Sequence, residues 1–310
     1  MIHYYQTIDG KLQSVPRAVP GCWISVYEPT TEEIEILTGE YGLDVGFVRS
    51  SLDEEESSRV EREDSQTLII VDTAVAVMEE QSDTLLFYTV PLGIITTPDY
   101  VFTISLRRNQ IMQNIAEGAV PNVHTQMKTR FILQVLMRIS AGFVTYLKQI
   151  DKISYSMERQ LSGAMKNHEL VQLMGLEKSL VYFSTSLKAN LNTIEKIQRG
   201  RVVKLYEDDQ DLMDDVTIEL KQAIEMASIY SGILAVLMDA FSYVIANNQN
   251  AVMSRLTVIT VIMSIPTMIF SFYGMNTSGL PIANTWFPTA IAVCATVLVA
   301  FMLLRKRKDK

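Results

Sequence analysis

Three stretches of the chain differ in the period at which hydrophobic and polar residues alternate. In the first stretch, short apolar and β-branched runs separated by turn residues indicate strands. Thr30 followed by Glu33 matches a capping box, which predicts a helix to about residue 41. The predicted strands are residues 22–27, 67–77, 85–90, 92–96 and 101–106, with a hairpin turn at 79–83. This stretch therefore predicts an α+β domain over residues 1–122.

The second stretch, residues 123–201, changes to a helical period. Apolar residues recur at helical spacing in the sequence Phe131, Val135, Ile139, Phe143, Tyr146. A turn is predicted at 163–168, between two long helices. The pattern fits a helical hairpin that projects from the domain and fits equally an ordinary helical subdomain, so both interpretations remain open.

The third stretch begins at residue 202 and has no turn signal for many residues. Between 202 and 254 there is no proline and a single glycine, Gly232. We predict one long helix over residues 202–273, on the order of 100 Å at 1.5 Å per residue. A helix of that length is typical of a stalk or a coiled assembly. Its soluble part is rich in carboxylates.

The end of the chain contains a long window without charge. No Asp, Glu, Lys, Arg or His occurs from 256 to 304, and the window lies between Arg255 and a basic tail, 305–310. A bilayer core needs about 20 apolar residues per helix, so we predict transmembrane helices at 256–273 and 286–304, joined by a loop at 274–285. A buried hairpin in a soluble domain is the weaker alternative. By the positive-inside rule, both termini and the large N-terminal domain are cytoplasmic, and no signal peptide is expected.

Composition excludes several classes of function. The net charge of −8 includes a strongly basic tail, so the body is more acidic still, which argues against nucleic acid and is compatible with cations. Cys22 and Cys294 lie in different regions and predict no disulfide. The three histidines are isolated, and neither a phosphate-binding loop nor a nucleophile–base pattern is present. We therefore do not expect an enzyme.

Polar residues of the first transmembrane helix form a stripe. Their spacings of 7, 3, 4, 3 and 4, with Met253 at the position missing from the longest gap, place them on one face of the helix. A hydroxyl stripe suits a water-filled pore in a ring of copies, with this helix innermost and the second toward lipid. It suits helix–helix packing about as well. The polar members are Asn250, Thr257, Thr260, Ser264, Thr267 and Ser271.

The tetrapeptide Tyr273-Gly274-Met275-Asn276 follows this stripe directly. Gly274 lets the backbone leave the helix, and Asn276 then offers a neutral carbonyl oxygen. A ring of such oxygens can bind the water shell of a cation, and Mg²⁺ gives up its waters reluctantly. On an isolated helix, Asn276 would instead be interpreted as a loop residue that caps the helix.

The motif, the two C-terminal membrane helices and the long acidic helix together resemble the CorA family of divalent-cation channels. Leu52-Asp53-Glu54 followed by Arg59-Val60-Glu61 is also similar to the family's N-terminal domain. The resemblance implies a funnel-shaped homopentamer in the cell membrane, with an α+β cytoplasmic domain, long stalk helices and two transmembrane helices per chain. It implies passive Mg²⁺ influx, with Co²⁺ and Ni²⁺ also carried, and closure by cytoplasmic Mg²⁺ bound between subunits.

The resemblance also assigns roles to residues. It places a selectivity filter at Tyr273, Gly274, Met275 and Asn276, and adds Leu256 to the residues that line the pore. It places an acidic ring at Asp239 and an intersubunit Mg²⁺ sensor at Asp215. For further regulatory ligands we predict Asp211 and one or more of Glu79, Glu80 and Asp83.

The sequence differs from the family pattern at two places, and two alternative functions are also compatible with it. The loop 277–285 lacks the acid that the family often places there, and Thr260 and Ser264 make the pore constriction more polar than usual. A zinc transporter of the same fold, possibly proton-coupled, is the first alternative, although Met275 is commonly Ile in that branch. The second is a membrane-anchored divalent-cation sensor that does not conduct.

Overall fold

A computed structural model describes residues 1–79, 84–160, 167–200, 203–275 and 286–308. The chain divides into two compact units, Met1–Met238 and Asp239–Lys310. The first unit contains a sheet with helices on it, and the second contains two long apolar helices. One helix, introduced below as α6, begins in the first unit and ends in the second.

The first unit is built on a seven-stranded sheet in the order β2-β1-β3-β7-β6-β5-β4. Strands β3 and β7 pair in parallel, and the other neighbours pair antiparallel. The sequence pattern located β3, β5 and β7 and missed the N-terminal hairpin of β1 and β2. The strands are β1 Ile2–Ile8, β2 Lys11–Ser14, β3 Trp23–Tyr27, β4 Arg59–Glu63, β5 Gln66–Glu79, β6 Thr84–Thr96 and β7 Val101–Ser105.

Strand β6 corrects one prediction. Two strands were expected at 85–90 and 92–96, but one 13-residue strand runs through Pro91. Pro91 faces Asp72 in the register, and the Asp72 N–H donates to Asn190 Oδ1 at 2.9 Å instead of across to β6. The pair is therefore not hydrogen-bonded, so a residue without an N–H is tolerated in the ladder.

One face of the sheet is covered by two short helices, α1 Thr31–Gly39 and α2 Val45–Ser51. The predicted capping box is present: the Thr30 N–H donates to Glu33 Oε2 at 2.9 Å and the Glu33 N–H to Thr30 Oγ1 at 3.3 Å. Side chains such as Leu37 and Phe47 complete a buried cluster with the strands. Helix α2 lies so close to β6 that a Cβ at Gly93 would be 1.9 Å from Ser51 Oγ.

The other face carries the two long helices α4 Lys128–Gln160 and α5 Asn167–Gln198, after the short α3 Gln110–Ala116. The rings of Phe87 on β6 and Phe143 on α4 both contact Phe183 on α5, with centroids 6.3 and 5.1 Å away. Both helices therefore form part of the core on the sheet. Of the two interpretations left open, this packing favours the helical subdomain over a hairpin that projects from the domain.

The long helix begins later than the sequence predicts. We expected it from residue 202, but residues 203–206 are not helical, a 3₁₀ turn follows at Glu207–Asp209, and helix α6 runs from Gln210 to Tyr273. Side chains of α4 hold this segment out of the helix. Thr129 Oγ1 donates to the Lys204 carbonyl at 2.9 Å, and Arg130 Nη1 donates to the Asp208 carbonyl at 3.2 Å.

The second unit contains the end of α6 and helix α7, Trp286–Lys308. By length and composition, three helices in the described part of the chain could cross a membrane, namely α4, the stretch that ends at Tyr273, and Trp286–Leu303. Helix α7 includes four basic residues assigned above to a separate tail. Lys and Arg favour helix and interact well with its C-terminal dipole, so the helix continues through them.

Candidate functional site

Every predicted member of the polar stripe lies on α6 in the second unit with its side chain exposed. The less exposed residues of the same helix occupy another face, namely Val258, Ile262, Ile265, Pro266, Ile269 and Tyr273. Thr260 lies two residues beyond Val258, Ser264 two beyond Ile262, and so on along the helix. Two residues correspond to about 200° around an α-helix, so the stripe lies opposite the more covered face. The exposed stripe consists of Asn250, Met253, Leu256, Thr257, Thr260, Ser264, Thr267 and Ser271.

Helix α7 has a matching asymmetry. Among its described residues, the two buried side chains are Pro288 and Ala292, the latter only 2% exposed, and the half-buried Thr296, Val299 and Leu303 continue the same face. Its large apolar side chains, including Val297, Leu298 and Phe301, point elsewhere and are exposed. Each of the two membrane-length helices thus has one partly covered face and one bare face. The bare surface of α6 contains the hydroxyl stripe beside exposed apolar side chains such as Met263, Met268 and Phe270, and that of α7 is mainly apolar.

The hydroxyls of the stripe donate to their own helix. Thr257 and Thr260 each donate at 2.9 Å to the carbonyl four residues back, and Thr267 does so at 3.0 Å. Ser264 Oγ donates to the Val261 carbonyl at 2.8 Å. A hydroxyl has one donor and two acceptor lone pairs, so each of these groups faces outward as an acceptor. Such a surface suits a hydrated cation, because the waters around a cation point their hydrogens outward.

The tetrapeptide is described as far as Met275. Helix α6 ends at Tyr273, whose ring contacts Phe272 edge-on at 5.5 Å. Gly274 is the first residue beyond the helix, where a change of backbone direction was expected; it does not adopt a left-handed φ, and its N–H still donates to the Phe270 carbonyl at 2.9 Å. A Cβ there would be 3.1 Å from that same carbonyl oxygen. Asn276 and the loop 277–285 lie outside the described residues.

Among the described residues of one chain, the predicted regulatory acids do not form a single cluster. Asp211 and Asp215 are exposed, one turn apart on α6 in the first unit, and Asp239 is exposed at the beginning of the second. Neighbouring Asp214 accepts hydrogen bonds from Gln198 and Gln210 at 3.3 and 3.2 Å, whereas Asp215 has no hydrogen bond or ion pair with any described residue.

The predicted N-terminal ligands are only partly described. Glu79 is the last residue of β5, opposite Thr84 in the register, while Glu80 and Asp83 fall outside the described residues. Within the described ranges, no three His, Cys, Asp or Glu side chains come together as a possible metal site. A metal ion that these acids hold would therefore need ligands beyond that part of one chain.

Sequence analysis missed a group of basic residues that the fold brings together. Arg62, Lys128, Arg130 and Lys204 line one groove of the first unit. Only the pair at 128 and 130 is local in sequence, on the first turn of α4. Arg62 comes from β4, and Lys204 precedes α6, so no sequence spacing indicates that the four are neighbours.

Comparisons with known proteins agree with the fold. A family profile described as CorA-like Mg²⁺ transporter protein matches residues 21–306. The cobalt/magnesium transport protein CorA of Methanocaldococcus jannaschii is 27% identical over 291 residues, which is 92% of this chain and 90% of that protein.

Solved structures extend the comparison of the fold. The complete structure of the CorA magnesium transporter from Methanocaldococcus jannaschii matches with a TM-score of 0.76 at 22% identity, over 98% of this chain and 96% of that one. The structure of the full-length CmaX protein matches with a TM-score of 0.68 at 17% identity, over 99% of this chain and 97% of that one. The cytoplasmic domain of ZntB from Vibrio parahaemolyticus matches with a TM-score of 0.60 at 12% identity, over 80% of this chain and 98% of that one.

Proposed function

Because this chain belongs to the CorA-like Mg²⁺ transporter family, we propose that it is a passive channel that admits Mg²⁺, and also Co²⁺ and Ni²⁺, into the cell. The family consists of divalent-cation transporters or channels and not of enzymes. The relative from Methanocaldococcus jannaschii is a cobalt/magnesium transport protein, which supports Mg²⁺ and Co²⁺ as the ions carried.

The observation that carries the proposal is the exposed stripe of α6. A helix face that meets lipid gains nothing from hydroxyls, and these hydroxyls already donate to their own backbone. What they present outward is a row of acceptors about one turn apart. A column of water around a hydrated cation can donate to such a row.

The proposed pore requires several copies of the chain. Two membrane helices cannot enclose a channel, whereas a ring of copies with α6 innermost and α7 toward lipid can. The resemblance to the family gives the number as five. The bare surface of α6 supports assembly, since none of its most apolar stretch is buried within one chain. The basic residues at both outer helix ends, Arg255 and Arg305, support the cytoplasmic placement of both termini.

We assign ion selection to Asn276 in the proposed channel. Its side-chain oxygen can accept a hydrogen bond from a water of hydrated Mg²⁺ without removing that water, which matches the reluctance of Mg²⁺ to dehydrate. The residues before it, Tyr273, Gly274 and Met275, end the helix and support the filter. The ion then meets the stripe between Ser271 and Asn250.

Closure of the proposed channel rests on carboxylates outside the membrane segment. Exposed carboxylates of neighbouring subunits repel one another, and a divalent ion that bridges them removes the repulsion and ties the subunits together. Loss of the ion then favours an open or asymmetric arrangement. The proposed regulatory ligands are Asp211, Asp215, Asp239, Glu79, Glu80 and Asp83.

Zinc transport is the second candidate, and the likeness to the ZntB cytoplasmic domain is the observation that favours it. At 12% identity that likeness concerns the fold alone. Met275 in the motif argues for the magnesium branch. The two candidates differ in which ion crosses the membrane, and a flux measurement separates them.

Mg²⁺ influx into proteoliposomes that contain a Mg²⁺-sensitive dye tests the proposal. We expect influx with the wild type and its collapse in Asn276→Ala. Asn248→Ala is the matched control, because Asn248 is an exposed asparagine of α6 two residues from Asn250 and therefore off the stripe. Zn²⁺ flux without Mg²⁺ flux would instead establish the zinc transporter. Absence of any divalent-cation flux from a correctly assembled protein would refute both.

A further inference from the structure

A groove of about 990 Å³ opens in the first unit, and none of its lining residues is assigned to the ion pathway. It lies where the turn between β4 and β5 and the end of β6 meet the segments that lead into α4 and α6. Its volume is within the range of roughly 300–1,000 Å³ that is usual for small-molecule sites. All of its lining residues belong to the first unit.

The groove is cationic in a protein that is otherwise acidic. Four basic side chains line it, Arg62, Lys128, Arg130 and Lys204, against the carboxylates of Asp208 and Asp209. The chain as a whole carries a formal charge of −8. Because the local balance reverses the overall sign, this surface attracts anions while most of the protein repels them.

Two of the four basic groups have their donors free. Arg62 makes no hydrogen bond or ion pair with any described residue, although Arg59 on the same strand is paired with Glu56 and Glu61. Lys204 places its ammonium 5.0 Å from the centroid of the Tyr206 ring, and within the described chain it has no carboxylate partner. Their charges are therefore available to a ligand.

The other two basic groups are held in place. Lys128 donates to the Thr97 carbonyl at 2.8 Å and also to the Pro98 carbonyl, which leaves one of its three donors. Burial lowers the pKa of Lys128, and the charge of Asp99 acts in the opposite direction, so a bound anion would stabilise the ammonium further.

Arg130 is fixed in the same way. Its Nη1 donates to the Asp208 carbonyl and lies 3.5 Å from the buried carboxylate of Asp209. Its Nε and Nη2 make no hydrogen bond with the described residues. A guanidinium fixed at one nitrogen, with its other N–H groups free, matches the bidentate geometry that phosphate prefers.

Apolar surface accompanies these charges. The ring of Tyr206 is 55% exposed and the side chain of Met127 is 58% exposed, and both line the groove. An aromatic face next to phosphate-binding side chains is the arrangement that stacks a nucleobase. A ligand with several negative charges and a planar ring would use both kinds of surface.

We propose that this groove binds a nucleoside polyphosphate, with the phosphates on the side chains of Arg62, Lys128, Arg130 and Lys204 and the base on Tyr206. The 203–209 segment contributes both the ring and one of the cations, and α6 begins directly after it. The bound ligand would therefore stabilise this segment in its present conformation, outside helix α6.

Calorimetric titration of the full-length chain in detergent with ATP, in the presence of EDTA, tests the proposal. We expect saturable binding to the wild type, weaker binding of AMP, and no binding of adenosine, because the phosphates supply most of the contacts. The variant Arg62→Glu/Lys204→Glu should lose at least about tenfold in ATP affinity, since two attractive charges become repulsive. The control is Lys148→Glu/Lys188→Glu, which reverses two exposed lysines of α4 and α5 that do not line the groove.

Melting temperatures of both double variants establish that they are folded. The proposal is supported if only the groove variant loses ATP affinity while its melting temperature matches that of the control. It is overturned if both variants lose affinity equally, if neither does, or if the folded wild type binds no ATP up to about 1 mM. A Mg²⁺ flux that responds to Asn276→Ala in a protein that binds no ATP would refute this inference and leave the proposed function intact.

Discussion

Helix α4 and the membrane segment of α6 are both long and apolar enough to cross a bilayer, but they have opposite surroundings. More than half of the most apolar stretch of α4 is buried against the sheet and α5, whereas none of the corresponding stretch of α6 is buried within one chain. Helix α4 carries charged residues such as Lys148 and Lys152 on its exposed face, and the membrane segment of α6 carries none.

A long apolar stretch identifies a helix whose surface must be shielded from water. The distribution of charged residues around the helix then indicates whether the same domain, or lipid and other copies of the chain, shield it. A helix with one charged face is covered on its other side by the same domain. A helix without charge on any face needs lipid or other copies all round. The hydroxyl stripe of α6 adds a third kind of surface, which suits water.

The largest difference between the two helices should be in the loss of free energy of unfolding when a side chain is truncated. Phe143 is fully buried and packs edge-on against Phe183, so Phe143→Ala should lower the free energy of unfolding by about 3–5 kcal/mol. Met263 of α6 is 66% exposed, and Met263→Ala should leave it nearly unchanged. Urea unfolding of the full chain in detergent, followed by circular dichroism, measures both. Equal destabilisation by the two variants would mean that α6 is packed as tightly as α4.

A change within the stripe should affect ion flux and leave stability alone. Ser264→Leu replaces an exposed acceptor with an apolar side chain, and we expect Mg²⁺ influx and resting leak to fall by up to about tenfold, equivalent to one net hydrogen bond. Met263→Leu introduces the same residue about 100° away around the helix and should retain wild-type flux. Proteoliposome influx is the measurement. An unchanged leak in Ser264→Leu would show that this position does not line the pore.

The smallest expected effect concerns Asp72 on β5 in the first unit. Burial raises the pKa of this carboxyl above its usual value, while hydrogen bonds from Ser186 and Ser58 act against the shift. Because the folded-state pKa is the higher one, this group favours the folded state below the unfolded pKa, and that contribution is lost as pH rises through the folded pKa. Asp72→Asn should therefore gain melting temperature relative to the wild type as pH rises from acidic to neutral. A difference between the two proteins that does not vary with pH would contradict the assignment.

Much of the fold could be predicted from local patterns. The capping box at Thr30 and Glu33, the central strand β5 and the apolar helices each depend on residues close together in the chain. The N-terminal hairpin of β1 and β2 was missed although Asp9-Gly10, both with positive φ, form the two-residue connection typical of a hairpin. The beginning of α6 was also misplaced, since Thr129 and Arg130 bind the preceding segment from a distant part of the sequence.

For the candidate site, the sequence alone determined the order of residues along α6: a stripe at helical spacing, followed by Tyr273, Gly274 and Met275. It could do so because a regular helix turns spacing into a face. Only the tertiary structure decided which face of α6 is left bare, where each hydroxyl donates, and that four basic residues from three parts of the chain share one groove. These properties depend on which segments pack together, and a sequence pattern contains no distances between segments that are far apart along the chain.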